Sequence, residues 1–348
     1  MQLTDIVADD HTSFLHQDDF DALLSEECRK ATIAHDCIKI GTSEEGRPLF
    51  AFRVGAGEKR VCLAAGAHSD EPVGPETLRM FIQETLLNPD QFETLFEEYQ
   101  FIILPHVNPD GEAKNWPWIK KWPNLKSYLK NVFREPPGRD IEFGYPDMRE
   151  ENRKISRFLS QQGPFHLYIN FHGMAFSEGI MLLIEKSRFG DTDAIRQNFL
   201  EAASDYDLPL HDHDRKGEKG FQYFGPGFTS TPESEAMRKY FMEQGDTATA
   251  ELFHRNSMEF VRSLGWDPLC LVTEFPLYIV NKKEATKSKP GVPEAYLEWK
   301  ELLPELQRKL EQGKDIDEEL RKYSIQPLPL NVAMKLQLRV LQSALREI

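Results

Sequence analysis

Apolar residues gather in short blocks along the chain, and the blocks alternate with longer, amphipathic stretches. Val61-Cys62-Leu63-Ala64-Ala65, Phe101-Ile102-Ile103-Leu104, His166–Phe171, Ile180–Ile184 and Leu269–Thr273 are each too short for a helix and are bounded by turn residues. They read as buried strands. Upstream, Ile38-Lys39-Ile40, the turn Ser43-Glu44-Glu45-Gly46-Arg47-Pro48 and Leu49–Val54 read as a hairpin. Helical patterns are expected over 18–30 (with Leu23 and Leu24 inward), 75–87, 147–160, 190–208, 233–243 and 247–264. Strand–helix–strand alternation predicts an α/β sheet with parallel members.

Other stretches lack such a pattern. Residues 112–146 are rich in Trp, Pro and Lys and read as an irregular surface excursion, in which Trp116, Trp118 and Trp122 either line a cleft or anchor the loop. Residues 209–234 read as loop, punctuated by Gly217, Gly220, Gly225 and Gly227. His211-Asp212-His213-Asp214 within it reads as a solvated segment rather than a metal site. After Lys282 the composition changes: 283–292 are polar, and 293–348 are leucine-rich and helical in period, broken by Pro327 and Pro329. So short a tail buries little alone and is expected to cap the domain. The resulting division is an N-terminal helical segment (1–32), a catalytic domain (33–282) and a C-terminal helical extension (283–348).

Charge and cysteine usage narrow the function. A formal net charge of -15 over 348 residues argues against a nucleic acid or an anionic membrane as partner. Cys28, Cys37, Cys62 and Cys270 are scattered and form no Cys-x-x-Cys pair, which suits a reducing compartment. Cys62 and Cys270 fall in apolar runs and read as small core residues. Met1–Asp5 does not look like a secretory leader, and no apolar run reaches the ~18–20 residues needed to span a bilayer. The expectation is a soluble, cytoplasmic protein.

The chemistry lies where apolar runs end. His68 and Glu71 follow the first, Asn108 and Asp110 the second, His172 the third and Glu274 the last. Parallel strands deliver such residues to one edge of a sheet, where α/β proteins place their sites. His68, Glu71 and His172 complete a two-histidine, one-carboxylate set for a single zinc ion, with a position left open for water. Glu274 is then placed to take a proton from that water.

These residues carry a resemblance. His68-Ser69-Asp70-Glu71, Asn108-Pro109-Asp110-Gly111, Asn170-Phe171-His172-Gly173 and Thr273-Glu274-Phe275-Pro276 occur in the order found in the zinc carboxypeptidase (carboxypeptidase A-like) family, and Gly41–Leu49 is similar to that family's opening hairpin. The resemblance covers about 33–282. It implies a mixed eight-stranded twisted sheet flanked by helices, a phosphorylase/hydrolase-like zinc peptidase fold. It also implies one Zn2+ on His68, Glu71 and His172, Glu274 as general base and acid, and Asp110 as the group that orients a metal-bound histidine. A peptide or acylated amino acid is the implied substrate, with Asn108 among the residues near it.

The sequence also departs from that pattern. The family's Asn-Arg pair, which grips a terminal carboxylate inside a Gly-x-Asp-Leu-Asn-Arg-x-Phe-Pro-like segment, has Gly138–Pro146 as its counterpart. Glu142 and Phe143 then stand where Asn and Arg would, and Asp70 stands where the family often has Arg. Like charges repel a carboxylate, so Asp70 and Glu142 would favour an amine or guanidinium, or else simply face solvent. For the oxyanion, the expected cation is Lys120 or Lys121. Two other readings remain: a small-molecule deacylase, since Gly66–Gly74 also resembles the desuccinylase and aspartoacylase branch, and a zinc-retaining binding protein without turnover.

Overall fold

In the computed structural model, residues 2–283 and 289–348 are described. The strands are β1 (His35–Thr42), β2 (Pro48–Val54), β3 (Lys59–Ala65), β4 (Tyr99–Leu104), β5 (Leu167–Ser177), β6 (Met181–Ile184), β7 (Tyr223–Gly225), β8 (Phe228–Ser230), β9 (Leu269–Lys282) and β10 (Tyr323–Pro327). They form one ten-stranded mixed sheet in the order β1-β2-β4-β3-β5-β9-β6-β8-β7, with β10 paired to β9. The expected eight strands are exceeded because short pieces add on. Residues 209–234, expected to be loop, contain the β7–β8 pair, and the expected all-helical tail contributes β10. The part of the expected 283–292 linker at 284–288 lies outside the described residues, as does Met1.

The central strands explain where a site can form. β3 pairs with β5 in parallel only from Val61–Leu167 to Ala65–Phe171. β5 and β9 stay paired far beyond that, from Leu167–Leu269 to Ser177–Ile279. The predicted strands stopped at Phe171 and Thr273, where the unbroken apolar run stops. The backbone ladder does not stop there, so His172 and Glu274 lie within long strands, just past the end of β3.

Helices close both faces. Val73–Leu87 buries Leu78, Phe81, Ile82 and Leu86, and Phe81 meets Phe92 and Phe101 edge-on at 5.7 and 5.6 Å. Each such side chain contributes about 1.5–3 kcal/mol when fully buried. Gly74 lets this helix sit on β5: a Cβ there would lie 2.2 Å from the Phe171 carbonyl oxygen. The C-terminal helix Leu330–Leu345 is buried along Leu336, Leu338, Leu341 and Ala344. It shares one core with Leu3, Ile6 and Val7 from the N-terminus and with the helix Val73–Leu87.

The excursion at 112–146 is more regular than its composition suggests. It holds the helices Pro109–Ile119 and Leu125–Asn131. Trp118 is fully buried and donates its indole N–H to Asn115 at 2.7 Å, while Trp122 packs on Tyr278 at 5.1 Å. These tryptophans anchor the loop. No helix among the described residues is long and apolar enough to cross a membrane.

Candidate metal centre

β3 ends at Ala65, Gly66 turns the chain with φ 76°, and His68 and Glu71 follow before the helix Val73–Leu87 begins. The next strand over, β5, supplies His172. The three side chains converge: Glu71 places Oε1 2.9 Å from His68 Nδ1 and Oε2 2.9 Å from His172 Nδ1, and the two Nδ1 atoms are 2.9 Å apart. Among the described residues this is the one cluster of His, Cys, Asp or Glu able to hold an ion.

The outer nitrogens show that the donor set fits a cation. His68 Nε2 lies 3.3 Å from Asp140 Oδ2, and His172 Nε2 lies 3.5 Å from Glu142 Oε2. A carboxylate on Nε2 holds the ring proton there and turns the Nδ1 lone pair inward. Two inward lone pairs facing each other and a carboxylate repel unless a positive charge sits between them. The set of two nitrogens and one carboxylate is a zinc donor set.

Burial and charge shape the protonation of the metal-free pocket. Burial and Arg134 oppose protonation of His68, but Glu71 and Asp140 win and raise its pKa well above the usual value. His172 is likewise raised to about 9, against burial and His68, by Glu71 and Glu142. Burial resists ionisation of Glu71, yet His68, Arg134 and His172 hold its pKa well down. Glu274 is pushed up to about 8, first by burial and then by the charge of Glu71. It stands opposite His172 in the β5–β9 register, and its Oε2 has no hydrogen-bond partner. A carboxyl so placed can accept and return a proton near neutral pH.

The other expected site residues fall elsewhere. Asp110 touches no histidine of the cluster; it accepts from Ser43 at 2.6 Å, from the Glu45 backbone N–H at 2.9 Å and from Arg47 at 2.8 Å. It ties the opening hairpin to the helix Pro109–Ile119, and Asp140 takes the orienting place expected for it. The signal was in the sequence: Asp140 is the Asp of the Gly138–Pro146 segment. Asn108 is fully buried and caps that same helix, accepting from Gly111 N–H at 3.1 Å and donating to Glu135 at 2.6 Å. Its side chain is consumed by structure and is not free for substrate.

Lys120 and Lys121 are exposed and lie outside the pocket, because Pro109–Ile119 is helical and carries them to its far end. The cation at the centre is Arg134, whose Nη1 donates to Asp70 at 2.6 Å and to Glu71 at 2.9 Å. Its side chain remains 42% exposed, so it still faces the pocket. Asp70 is therefore already paired. Glu142 is buried, accepting from Asn170 Nδ2 at 2.9 Å and Ser257 Oγ at 2.7 Å. The expected acidic pair awaiting a basic substrate does not exist as free charge.

A cavity of about 360 Å³ opens on the cluster, lined by His68, His172 and Glu274 at one end and by Phe143, Phe241 and Phe253 at the other. The sheet and its helical layers match the fold of solved metallocarboxypeptidases. Bovine thrombin-activatable fibrinolysis inhibitor, solved with tick carboxypeptidase inhibitor, superposes with a TM-score of 0.52 at 13% identity, covering 97% of this chain and 99% of that one. A metallo-carboxypeptidase from Burkholderia cenocepacia gives 0.52 at 13% identity over 96% of this chain and 69% of that one.

Residues 27–188 match the family described as zinc carboxypeptidase. Inactive metallocarboxypeptidase ECM14 of Ajellomyces dermatitidis is 32% identical over 116 residues, 30% of this chain and 19% of the relative. The protein of the same name from Uncinocarpus reesii is 25% identical over 145 residues, 37% of this chain and 24% of the relative. Carboxypeptidase B of Astacus astacus is 22% identical over 162 residues, 45% of this chain and 54% of the relative. The chain thus aligns with at most a quarter of the fungal relatives' length and about half of the Astacus protein's.

Proposed function

We propose that this chain hydrolyses peptide bonds with one zinc ion held by His68, Glu71 and His172. The observation that carries the reading is the convergence of both Nδ1 atoms and both Glu71 oxygens within 2.9 Å contacts, next to the half-buried Glu274, whose Oε2 is buried without a partner. Zinc, when bound, supplies charge that polarises a scissile carbonyl and acidifies water. Glu274 takes the proton of the attacking water and returns it to the leaving amine. Arg134, exposed toward the pocket, offers its remaining N–H groups to the developing oxyanion, the role expected of Lys120 or Lys121. Asp140 and Glu142 keep the histidine tautomers fixed.

The catalytic domain in this reading spans 33–282, with 1–32 and 283–348 packed on it. Supporting that packing, residues of all three segments share one apolar core. The free cysteines, Cys28, Cys37, Cys62 and Cys270, suit a reducing compartment.

The fungal relatives are named inactive, which favours a second reading: a zinc-retaining binding protein without turnover. Incubating the zinc-loaded chain and its Glu274→Gln variant with a mixed peptide library, read by mass spectrometry, separates the two. The hydrolase reading expects products from the wild type only, with zinc content equal in both. Zinc bound at full occupancy with every peptide intact would leave the binding protein standing instead.

A further inference from the structure

We propose that Arg215 and Lys219 form the subsite that holds a carboxylate of the substrate, beside an apolar pocket for the side chain of the departing residue. The inference rests on the hydrolase reading above and deepens it. A cleft that receives a peptide end needs a cation for its carboxylate, and the positions where the family pattern puts Asn and Arg hold Glu142 and Phe143. Glu142 is committed to Asn170 and Ser257. Phe143 packs with Met237 and Phe253 in an apolar cluster that Phe241 joins. Arg134 pairs with Asp70 and Glu71 beside the metal cluster, where its remaining N–H groups serve the oxyanion.

The other cations lining the same cavity are Arg215 and Lys219. Both are half-buried and come from the loop that follows His211. The Arg215 guanidinium lies 4.0 Å over the Phe221 ring, which fixes its plane and leaves its N–H edge free. Among the described residues no carboxylate lies within ion-pair distance of it. Lys219 sits over the Tyr240 and Phe241 rings at 5.3 and 5.9 Å, and its nearest carboxylate, Glu218, stands 4.0 Å away. Burial, Lys300 and Arg215 pull the Lys219 pKa down, with Glu218 opposing. An anion between the two cations would relieve that repulsion.

The backbone of this loop is unusual as well. Lys216, Gly217, Lys219 and Gly220 have φ of 52, 79, 55 and 80°. A side-chain-bearing residue in that region costs roughly 1–2 kcal/mol, and such strain gathers where geometry serves a site. A Cβ on Gly220 would meet that of Ala236 at 2.4 Å, so the loop is pressed onto the helix Ser234–Glu243. Lys219 is thereby held at the apolar end of the cavity. A carboxylate in a bidentate contact with Arg215 and a point contact with Lys219 leaves the attached side chain among Phe143, Met237, Phe241 and Phe253.

Titration calorimetry on the zinc-loaded full chain tests this. The probes are N-acetylphenylalanine, its C-terminal amide, and the α-amide of N-acetylglutamate, whose carboxylate is on the side chain. The wild type is expected to prefer a carboxylate probe over N-acetylphenylalaninamide by about tenfold or more, the size of a charge-assisted contact. The preference should collapse to within about twofold in R215Q/K219Q and fall only in part in R215K, which keeps the charge but loses the bidentate fork. Tightest binding of N-acetylphenylalanine assigns the subsite to a chain terminus, and tightest binding of the glutamate amide assigns it to an acidic side chain. Thermal midpoint and zinc content confirm that each variant is folded. A preference that is absent in the wild type, or unchanged in R215Q/K219Q, overturns the proposal. Because binding is read without turnover, a chain that cleaves nothing still answers the question, and lost cleavage with the preference intact counts against the hydrolase reading alone.

Discussion

A histidine that ligates through Nδ1 must carry its proton on Nε2, and a neighbour has to enforce that choice. Here the neighbours are Asp140, 3.3 Å from His68, and Glu142, 3.5 Å from His172. Replacing either with its amide keeps the shape and removes the charge. Asp140→Asn and Glu142→Gln are each expected to weaken zinc affinity about 10–100-fold, as measured by competition with a chromophoric chelator. Unchanged affinity in both would mean that these carboxylates serve packing alone.

Other histidines bear on stability. Burial depresses His106 to about 4 against the pull of Glu112. His211, buried with neither ring nitrogen hydrogen-bonded, is depressed to about 3 by burial and then by His213 and Arg215. Their folded values lie below the unfolded value of about 6.5. Between those values the unfolded chain binds protons that the folded one does not, so stability falls as pH drops from about 6.5 toward 4. Urea unfolding across that range should show the loss, and the slope should be shallower in His211→Gln by about one proton. An identical slope would contradict the assignment.

The residues legible in sequence were those that follow apolar runs: His68, Glu71, His172 and Glu274 each stand where a strand pattern breaks. Arg134 and Asp140 were not singled out, because they come from a stretch without period, placed by the folding of 132–149 around the site. Lys120 and Lys121 misled for the opposite reason. Pro117 suggested irregular chain, but Pro109–Ile119 is helical around it, and the lysines follow its axis away from the site.

At the scale of elements, β5 and β9 matter through their length. By outrunning β3 they leave His172 and Glu274 side by side at a position where neighbouring backbone gives way to a cavity. Their pairing is buttressed from beneath. Gln337 on the C-terminal helix is fully buried, donates to Thr273 Oγ1 at 3.2 Å and to the His172 carbonyl at 3.4 Å, and accepts from Thr77 Oγ1 at 2.6 Å. Gln337→Leu keeps the volume and removes three buried hydrogen bonds, so a loss of about 1–3 kcal/mol is expected in denaturant unfolding. A variant as stable as the wild type would show that the helix holds the strands by apolar contact alone. The sheet itself could be read from the apolar runs, because buried parallel strands are nearly uniform in hydrophobicity. β7, β8 and β10 could not, since three to five residues at a sheet margin leave no period to detect.

At the scale of the molecule, the chain carries a net charge of -15, and its cavity lining holds both signs. Arg134, Arg215 and Lys219 line one cavity together with Glu135, Asp140, Glu142 and Glu274. In the proposed subsite, Arg215 and Lys219 present a local positive field to an anionic substrate end. Net charge could be counted from the sequence; its arrangement required the fold, because Arg215 and His68 are brought together only by the sheet.

Zinc-dependent hydrolysis through Glu274 is the proposal on which the mechanism turns. The most direct measurement is the rate of cleavage of an N-acylated dipeptide as zinc is added back to the metal-stripped chain, with Glu274→Gln in parallel. The wild-type rate is expected to rise linearly and level off at one equivalent, and the variant to bind the same equivalent while its rate stays lower by a factor of about a hundred or more. Equal rates in the two proteins, or a wild type that fills with zinc and cleaves nothing, would contradict it.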